Sequence, residues 1–387
     1  MPTPVEELFA APPEVAGHPA VRAAARIGAE LLEPHASRAD EPEHGVRRDH
    51  LRALAEAGLY SVRVPPDLGG YGAGERVAAE VVELLAASCA ATWFVLTQHD
   101  TASGLVRDPA AGYPPGSTRA GAGAERFREP VSSGAALTGI AIAHLRRPGP
   151  PAIRAEPDGR GGYRLTGRAD WCTGWGLVDL VLVASATPDE RFVLALVPAT
   201  DQPGLRGGDP LPLAVMGGTR TVALALDGFP VVAEDVLVDV AASAWAEVDA
   251  RRTANVRPAS LGLLRRVLVE LEAVGVRRDR PAATRLAVRL AERAAPLRSR
   301  AYRLLTEVPA GEALAERVEL RGRLAELTVR ATQALIAARA GSALLLANPE
   351  QRWAREASFH LIQAQPETVR SAQLIAFEHP EWFGSPV

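Results

Sequence analysis

The sequence predicts an α+β protein made of three successive domains: a helical domain over residues 1–132, an antiparallel β domain over 133–240 and a four-helix bundle over 241–387. Two observations favour this order. Apolar residues recur every three or four positions near both ends of the chain, which is typical of amphipathic helices, and every second position in the middle, which is typical of strands. In addition, 387 residues exceed what one compact core usually holds.

The first domain is predicted to be mostly helical, with loops inside it and at its end. Helical spacing covers residues 20–41 and 48–60, and a nearly all-apolar run over 76–106 predicts a long buried helix. Two prolines and four glycines place a loop at 64–75. Residues 107–130 are also predicted to be loop, with one short helix near the end.

The middle domain is predicted to be an antiparallel sandwich or barrel, because its apolar residues alternate and Gly, Pro and Asp turns separate the segments. The candidate strand segments are 135–145, 162–171, 177–186, 191–199, 213–232 and 235–240. The last domain contains four long amphipathic segments with the lengths of an antiparallel bundle. These segments are 257–276, 282–308, 311–347 and 349–378.

Composition and charge exclude several classes of function. A net charge of −3 gives no electrostatic reason to expect nucleic acid or an anionic membrane as partner. No apolar run approaches the roughly 18 residues that a membrane span requires. Prolines and acidic residues occupy the first fifteen positions, where a signal peptide has positive charge and an apolar run, so cytoplasmic residence is expected.

The basic residues and cysteines also restrict the chemistry. All 43 basic residues are arginine, which excludes Schiff-base catalysis through lysine and phosphate binding by a Walker-type loop. Cys89 and Cys172 are too few and too far apart in sequence to indicate a disulfide framework or a metal site. We therefore expect both to be small buried apolar residues.

A short segment of the β domain departs from the strand pattern. Residues 162–170 alternate as a half-buried strand does, and the run Trp-Cys-Thr-Gly-Trp-Gly follows at 171–176. Two indoles and two glycines within six residues are costly to place in an ordinary strand. The segment is either a bulged hairpin whose tryptophans cover the core or part of a binding surface.

With this segment in the middle domain, the chain resembles the acyl-CoA dehydrogenase superfamily over nearly its whole length. The resemblance rests on four stretches: VPPDLGGYG at 64–72, GYRLTGRADWCTG at 162–174, VMGGTRTVALALDGFPV at 215–231 and QRWAREASFHLIQAQPETVRSAQL at 351–374. Each stretch alone is weakly specific, whereas the four in this order strongly indicate the fold.

The resemblance implies an FAD cofactor and roles for three residues. Trp171 would pack on the flavin ring as a flat apolar surface, and Thr173 would donate a hydrogen bond near flavin N5. Gly174 would let the backbone approach the ring without a Cβ. The family also implies an acyl-thioester substrate and a homodimer or homotetramer built through the bundle, with the apolar faces of 317–346 facing both the core and a partner.

Two parts of the expected flavin site differ from the family pattern. Where the family has Thr-Glu-Pro on the first β strand, this chain has Ala143, His144 and Leu145. Arg146 and Arg147 follow and are candidate replacements as phosphate partners.

In the bundle, the family carries an Arg, a Phe-Gly pair and a Gln that reach the FAD diphosphate. This chain has Arg277, Arg278 and Arg280 but no Phe-Gly, so we take Arg277 as the candidate. A weakened or lost FAD site is therefore the alternative to tight binding. The cofactor-binding candidates are Trp171, Thr173, Gly174, Ala143, His144 and Arg277.

The glutamate with which the family's dehydrogenases abstract the α proton is also missing. The alignment places Ala364 at that position, and alanine cannot accept a proton. Family members with the base at the start of the bundle suggest Asp249, next to Glu247, as an alternative, and Glu367 lies nearly one helical turn beyond Ala364. His99 is the third catalytic candidate, as a titratable group after a buried helix.

Three functions remain open. The first is an FAD-dependent oxidoreductase that acts on an acyl thioester, carried by CoA or a carrier protein, with a relocated base. The second is a flavin-dependent monooxygenase on the same fold, which needs no α-proton base. The third is a scaffold that has lost flavin and has a non-redox or binding role.

Overall fold

A computed structural model of the protein describes residues 2–378, which form two compact units. The first unit combines the residues up to Ser37, the segment Glu75–Ala90 and the residues from Ala250 onward, while the second combines Arg38–Gly74 and Ala91–Asp249. The helices and strands follow the predicted order along the chain. The compact units nevertheless cut across the predicted boundaries near residues 132 and 240, because one early helix packs with the late helices.

The helices follow the sequence periodicity at both ends of the chain, except that the run predicted as one long helix over 76–106 is divided into three helices by breaks at Cys89 and Gln98. They are α1 (Pro4–Leu8), α2 (Pro13–Ala16), α3 (Pro19–Ile27), α4 (Ala36–Asp40), α5 (Arg48–Glu56), α6 (Glu75–Ser88), α7 (Ala90–Thr97), α8 (His99–Arg107), α9 (Gly123–Ser132), α10 (Ala242–Ala254), α11 (Pro258–Arg277), α12 (Pro281–Glu307), α13 (Leu314–Arg339), α14 (Pro349–Ile362) and α15 (Glu367–Glu378). Among residues 2–378, no helix combines the length and the apolarity needed to span a membrane.

The core of the first unit lies among α11, α12 and α13. Leu264 and Leu268, four residues apart on α11, are fully buried there, and Phe9 enters the same core from the N-terminal segment. Helix α6 packs against α11 at Gly262, where an added Cβ would lie 2.1 Å from the Glu83 carbonyl oxygen. Glycine at 262 therefore permits the close approach that joins α6 to the bundle.

The second unit is built on one sheet of nine strands within the described residues. The strands are β1 (Thr118–Ala120), β2 (Thr138–Ala141), β3 (Ile153–Pro157), β4 (Tyr163–Cys172), β5 (Leu180–Ala186), β6 (Arg191–Pro198), β7 (Leu205–Gly207), β8 (Val222–Val231) and β9 (Val236–Ala241). Their order is β1-β9-β6-β5-β3-β4-β8-β7, with β2 alongside β5. Helices α8 and α9 pack with β2, β9 and their neighbours in a shared apolar core.

The sheet is mixed, whereas the sequence predicted wholly antiparallel pairing. Strands β2 and β3 both run parallel to β5, because long connections rather than tight hairpins link these strands. Strand β1 lies inside the predicted loop at 107–130 and pairs with β9 at the edge of the sheet. A strand of three residues is too short to show an alternation of apolar and polar side chains, which explains why the sequence pattern did not predict β1.

The fourth predicted bundle segment is divided in two. Helix α14 ends at Ile362 and α15 begins at Glu367, directly after Pro366. Proline cannot supply the backbone N–H that a continuous helix requires at this position. Ala364 in the connection has a left-handed φ of 45°, a conformation that is common where a helix ends.

A buried network of charges links α6 to α12 inside the first unit. Arg298 donates to both carboxylate oxygens of Glu83, at 2.9 and 3.0 Å, and to Glu80 at 3.1 Å. The Tyr302 hydroxyl donates to Glu83 as well, and Arg76 donates to Glu80 at 3.0 Å. Because these side chains are nearly all buried, each depends on its partners for the interactions that water would otherwise provide.

We predict that Arg298→Met lowers the free energy of unfolding by about 3–5 kcal/mol, because Glu83 would remain buried without its cation. Urea denaturation at neutral pH measures this loss. The matched control is Arg26→Met, since the Arg26–Glu30 pair is exposed and such pairs contribute about 0–1 kcal/mol. Equal losses in the two variants would contradict a role for the network in stability.

Candidate functional site

The two tryptophans of the 171–176 segment have different environments in the second unit. Trp171 lies near the end of β4 with 45% of its surface exposed, while Cys172 beside it is fully buried. Trp175 is buried and packs so closely on Gly207 that an added Cβ there would lie 2.2 Å from the indole nitrogen. Trp175 therefore covers the core, whereas Trp171 presents its indole at the surface of the second unit.

A bulge between β4 and β8 produces this arrangement. Ala169 pairs with Leu224 and Cys172 with Val222, so three steps along β4 match two steps along β8. The extra residue shifts the alternation of side chains, which lets Ala169 and Cys172 both point inward with Trp171 facing outward between them.

The Thr173 hydroxyl is part of a buried chain of three hydroxyls. Its Oγ1 lies 3.0 Å from Oγ1 of Thr221, which lies 2.9 Å from Oγ1 of Thr219. Thr219 in turn donates to the Met216 carbonyl at 2.8 Å. Sequence reasoning missed Thr219 and Thr221 because the register of β4 on β8, and not a local motif, brings them to Thr173.

Gly174 is required by the backbone conformation. Its φ of 87° is left-handed, and its N–H donates to the Thr219 carbonyl at 3.1 Å. A Cβ at this position would contact Val178 and Val95 at 3.2 and 3.4 Å. The backbone conformation thus explains why glycine is needed here, whereas the sequence interpretation explained it by the approach of a ligand.

The loop that carries Thr219 is held in an uncommon conformation. Met216 and Arg220 are non-glycine residues with left-handed φ values of 54° and 49°. The Met216 N–H donates to Asp40, and Arg220 Nε donates to the Trp175 carbonyl at 3.1 Å. Contacts from distant parts of the second unit therefore fix the loop that carries Thr219.

The residues at the position of the family's Thr-Glu-Pro form a short 3₁₀ turn, Ala143–Arg146, that offers few donors. Ala143 has no polar side-chain group, and His144 is buried with its Nε2 2.9 Å from the Ala184 carbonyl. Burial lowers the pKa of His144 below its ordinary value, so the ring is neutral at pH 7. This environment favours a structural role for His144 over cofactor binding.

The carboxylate of Asp249 is bound by an arginine in the second unit. Arg146 Nε and Nη2 each donate to one carboxylate oxygen of Asp249 at 2.7 Å, in a bidentate pair. The guanidinium of Arg146 thus occupies both oxygens of this carboxylate, which disfavours Asp249 as a base. Arg147 remains half-exposed and pairs with Asp170, the residue before Trp171.

His99 is fully buried at the start of α8, and protein atoms bind both of its ring nitrogens. The Thr138 backbone N–H lies 3.2 Å from Nδ1, and the Val131 carbonyl lies 2.8 Å from Nε2. Since a backbone N–H can only donate, Nδ1 must be the acceptor and Nε2 must carry the proton. Burial lowers the pKa of His99, which keeps this neutral tautomer and favours a structural role over a catalytic one.

The remaining candidates lie in the first unit and are solvent-accessible. Arg277 pairs with Glu270 near the end of α11. Glu367 begins α15 with 74% of its side chain exposed and pairs with Arg370. It also lines a mostly apolar pocket of about 850 Å³ between α13 and α15. In the described part of the chain, no cluster of His, Cys, Asp or Glu side chains is placed to hold a metal ion.

We predict that His99→Gln flattens the pH dependence of stability without abolishing the fold, since glutamine supplies one acceptor and a donor. Because the pKa of His99 is lower in the folded protein than in the unfolded chain, the fold has its full stability above about pH 6.5 and loses stability as the pH falls. The slope between pH 6 and pH 5 should decrease by up to about 1.4 kcal/mol per unit in urea denaturation. His44→Gln, at an exposed site, is the control, and parallel curves for His99→Gln and the parent would contradict this environment.

Comparison with known proteins agrees with this architecture. Residues 18–108 match the family model described as acyl-CoA dehydrogenase, N-terminal domain. A search of curated protein sequences gives no match. Among solved structures, butyryl-CoA dehydrogenase from Megasphaera elsdenii is similar with a TM-score of 0.74 and 16% identity, over 96% of this chain and 100% of that chain.

Two further solved structures extend the comparison. Glutaryl-CoA dehydrogenase from Mycobacterium smegmatis has a TM-score of 0.76 and 16% identity, over 96% of both chains. The prolyl acyl carrier protein oxidase AnaB has a TM-score of 0.75 and 15% identity, over 97% of this chain and 100% of that chain. Residues 18–108 therefore match the acyl-CoA dehydrogenase N-terminal domain, and the chain has the acyl-CoA dehydrogenase fold over nearly its whole length.

Proposed function

We propose that the protein is an FAD-dependent oxidoreductase that acts on an acyl thioester. The observation that carries this proposal is the exposed Trp171 indole, two residues before the Thr173 hydroxyl, at the end of a strand whose bulge turns the indole outward. An exposed indole followed two residues later by a fixed hydroxyl suits a flat heteroaromatic ring with polar atoms at its edge.

The residues present fit the ring of a flavin better than its diphosphate. Trp171 would cover the ring face and Thr173 would contact the ring edge, while the bound flavin would supply the site that takes up two electrons. For the diphosphate, the second unit offers Arg147, whose guanidinium is accessible and is paired with the Asp170 carboxylate. We infer that FAD binds less tightly than it would in a site with the family's full set of donors.

The substrate class is inferred from the similar solved structures and from one pocket. These structures include proteins named as acting on butyryl-CoA, on glutaryl-CoA and on a prolyl acyl carrier protein. In this chain, the pocket between α13 and α15 is lined mainly by apolar and small side chains, such as Val318, Ala372 and Ile375. An apolar lining of this kind suits an acyl chain.

Glu367 is the stronger of the two candidate carboxylates for the relocated base. It lines this pocket, and its carboxylate is exposed apart from the pair with Arg370. Asp249, in contrast, receives two hydrogen bonds from Arg146. We therefore assign proton abstraction to Glu367 in this proposal.

A flavin-dependent monooxygenase is the second candidate function, and Ala364 favours it. The residue that stands at the family's base position has no acidic group, and a reaction that activates oxygen on reduced flavin needs no α-proton base. The two functions differ in one measurable property. Only a dehydrogenase is reduced by its acyl substrate when oxygen is absent.

We predict that the purified protein shows the visible absorbance of bound flavin and that Trp171→Ala weakens flavin binding about tenfold or more, equivalent to about 1.4 kcal/mol. Fluorescence titration with FAD measures the dissociation constant. Trp171→Phe keeps a flat ring and should retain most of the affinity. A colourless protein that does not take up added FAD would instead support a flavin-free scaffold.

We also predict that Glu367→Gln slows anaerobic flavin reduction by an acyl-CoA substrate by about 10²–10⁴-fold, as expected for the loss of a general base. Stopped-flow absorbance with a panel of acyl-CoA chain lengths gives the rate. Glu319→Gln is the matched control, because Glu319 lines the same pocket and is similarly exposed. If no acyl thioester, on CoA or on a carrier protein, reduces the parent protein, the dehydrogenase proposal fails and the monooxygenase remains.

A further inference from the structure

The three-hydroxyl chain beside Trp171 has only one arrangement of protons that satisfies every contact. Each threonine hydroxyl carries one proton, and a carbonyl oxygen carries none. Thr219 must therefore use its proton on the Met216 carbonyl, 2.8 Å away. The Thr219 oxygen can then only accept from Thr221, so Thr221 donates across the 2.9 Å contact.

The same count of protons determines to which atom the Thr173 hydroxyl donates. Because the proton of Thr221 is used on Thr219, the 3.0 Å contact between Thr173 and Thr221 must be filled by the proton of Thr173. The opposite choice would place two lone pairs against each other in one of the contacts, between threonines that are all buried. The Thr173 hydroxyl thus directs its proton at Thr221 and keeps its lone pairs for any other neighbouring group.

We infer that Thr173 offers a hydrogen-bond acceptor, not a donor, to a ligand bound beside Trp171, and that Thr219 and Thr221 are positioning residues that set this polarity. The inference reverses the donor role that the sequence suggested for Thr173. It depends on the protein fixing the Met216 carbonyl at the end of the chain. The left-handed conformation of Met216 and the hydrogen bond from its N–H to Asp40 hold that carbonyl in place.

The direction of the Thr173 hydroxyl determines which kind of ligand atom can bind to it. A group that binds favourably at Thr173 must present an N–H or O–H, because two acceptors in contact repel. If the ligand is flavin, as in the proposed function on which this step rests, the oxidised ring presents only a lone pair at N5. The fully reduced ring carries a hydrogen there. Thr173 therefore favours the reduced ring over the oxidised one.

The experiment compares Thr221→Val with Thr221→Ser in the full chain. Valine removes the acceptor for the Thr173 proton, which is then free to turn toward the ligand, whereas serine keeps the chain intact. We expect the preference for reduced over oxidised flavin to fall about tenfold in Thr221→Val, which corresponds to a midpoint potential about 30 mV lower for a two-electron couple. Thr221→Ser should retain the parent potential.

The readouts are the midpoint potential of the bound flavin and the dissociation constants of oxidised and reduced FAD. Thr328→Val removes a buried hydroxyl that donates to a helix carbonyl in the first unit, and it should change stability without changing the potential. Bound flavin with the same potential in Thr221→Val and the parent would overturn the inference and leave the proposed function intact. Absence of bound flavin in the parent would overturn the proposed function and, with it, the flavin preference.

The proton arrangement itself has a test that needs no flavin. Neutron diffraction from deuterated crystals of the parent should show the deuterium of Thr173 directed at Thr221 and that of Thr219 directed at the Met216 carbonyl. Deuterium on Thr173 directed away from Thr221 would overturn the inference whatever the cofactor. If Thr221→Val fails to fold, this measurement on the parent still decides the question.

Discussion

The antiparallel pairing of β4 with β8 is the constraint on which the candidate site depends. The pair between Cys172 and Val222 brings the next residue of one strand, Thr173, opposite Thr221 on the other. The bulge just before this pair turns Trp171 outward while keeping its neighbours in the core. A shift of one residue in this register would bury the indole and separate the hydroxyls, so the register determines both features of the site together.

Periodicity predicted the class and order of the elements because burial of an apolar face is a local property of a helix or strand. The same periodicity could not predict which strands become neighbours, and the parallel pairing of β2 with β5 was therefore missed. Trp171 was recognised because an indole in a glycine-rich run is unusual in the sequence itself. Thr219 and Thr221 were not, since two threonines just before a strand are ordinary in the sequence until the fold brings them to Thr173.

The environment, which the sequence does not reveal, determines what the titratable candidates do. His99 was selected for its residue type, yet a backbone N–H and a carbonyl bind its two nitrogens and burial keeps the ring neutral. Asp249 was selected for its position, yet the Arg146 fork occupies both of its oxygens. In each case the side-chain atoms that catalysis would use already make hydrogen bonds within the fold.

The absence of lysine also bears on the bundle, because a guanidinium can bind several carbonyl groups at once and an ammonium group does so less well. Buried Arg321 donates to the carbonyls of Thr253, Gln363 and Ala364, which ties the α14–α15 connection to the end of α10. This connection has a left-handed turn at Ala364, so its shape requires no carboxylate at this position.

The polarity inferred for Thr173 is useful to both proposed redox functions, and it cannot decide between them. Holding the reduced ring more tightly raises the flavin potential, which helps a dehydrogenase withdraw electrons from an acyl group. For a monooxygenase, the same preference retains a reduced flavin that another protein delivers. The two functions make different demands on the first unit, because only the dehydrogenase needs a carboxylate that accepts a proton. A proton must leave the α carbon in a dehydrogenase, and with alanine at 364 we propose that Glu367, which lines the mostly apolar pocket between α13 and α15, accepts it.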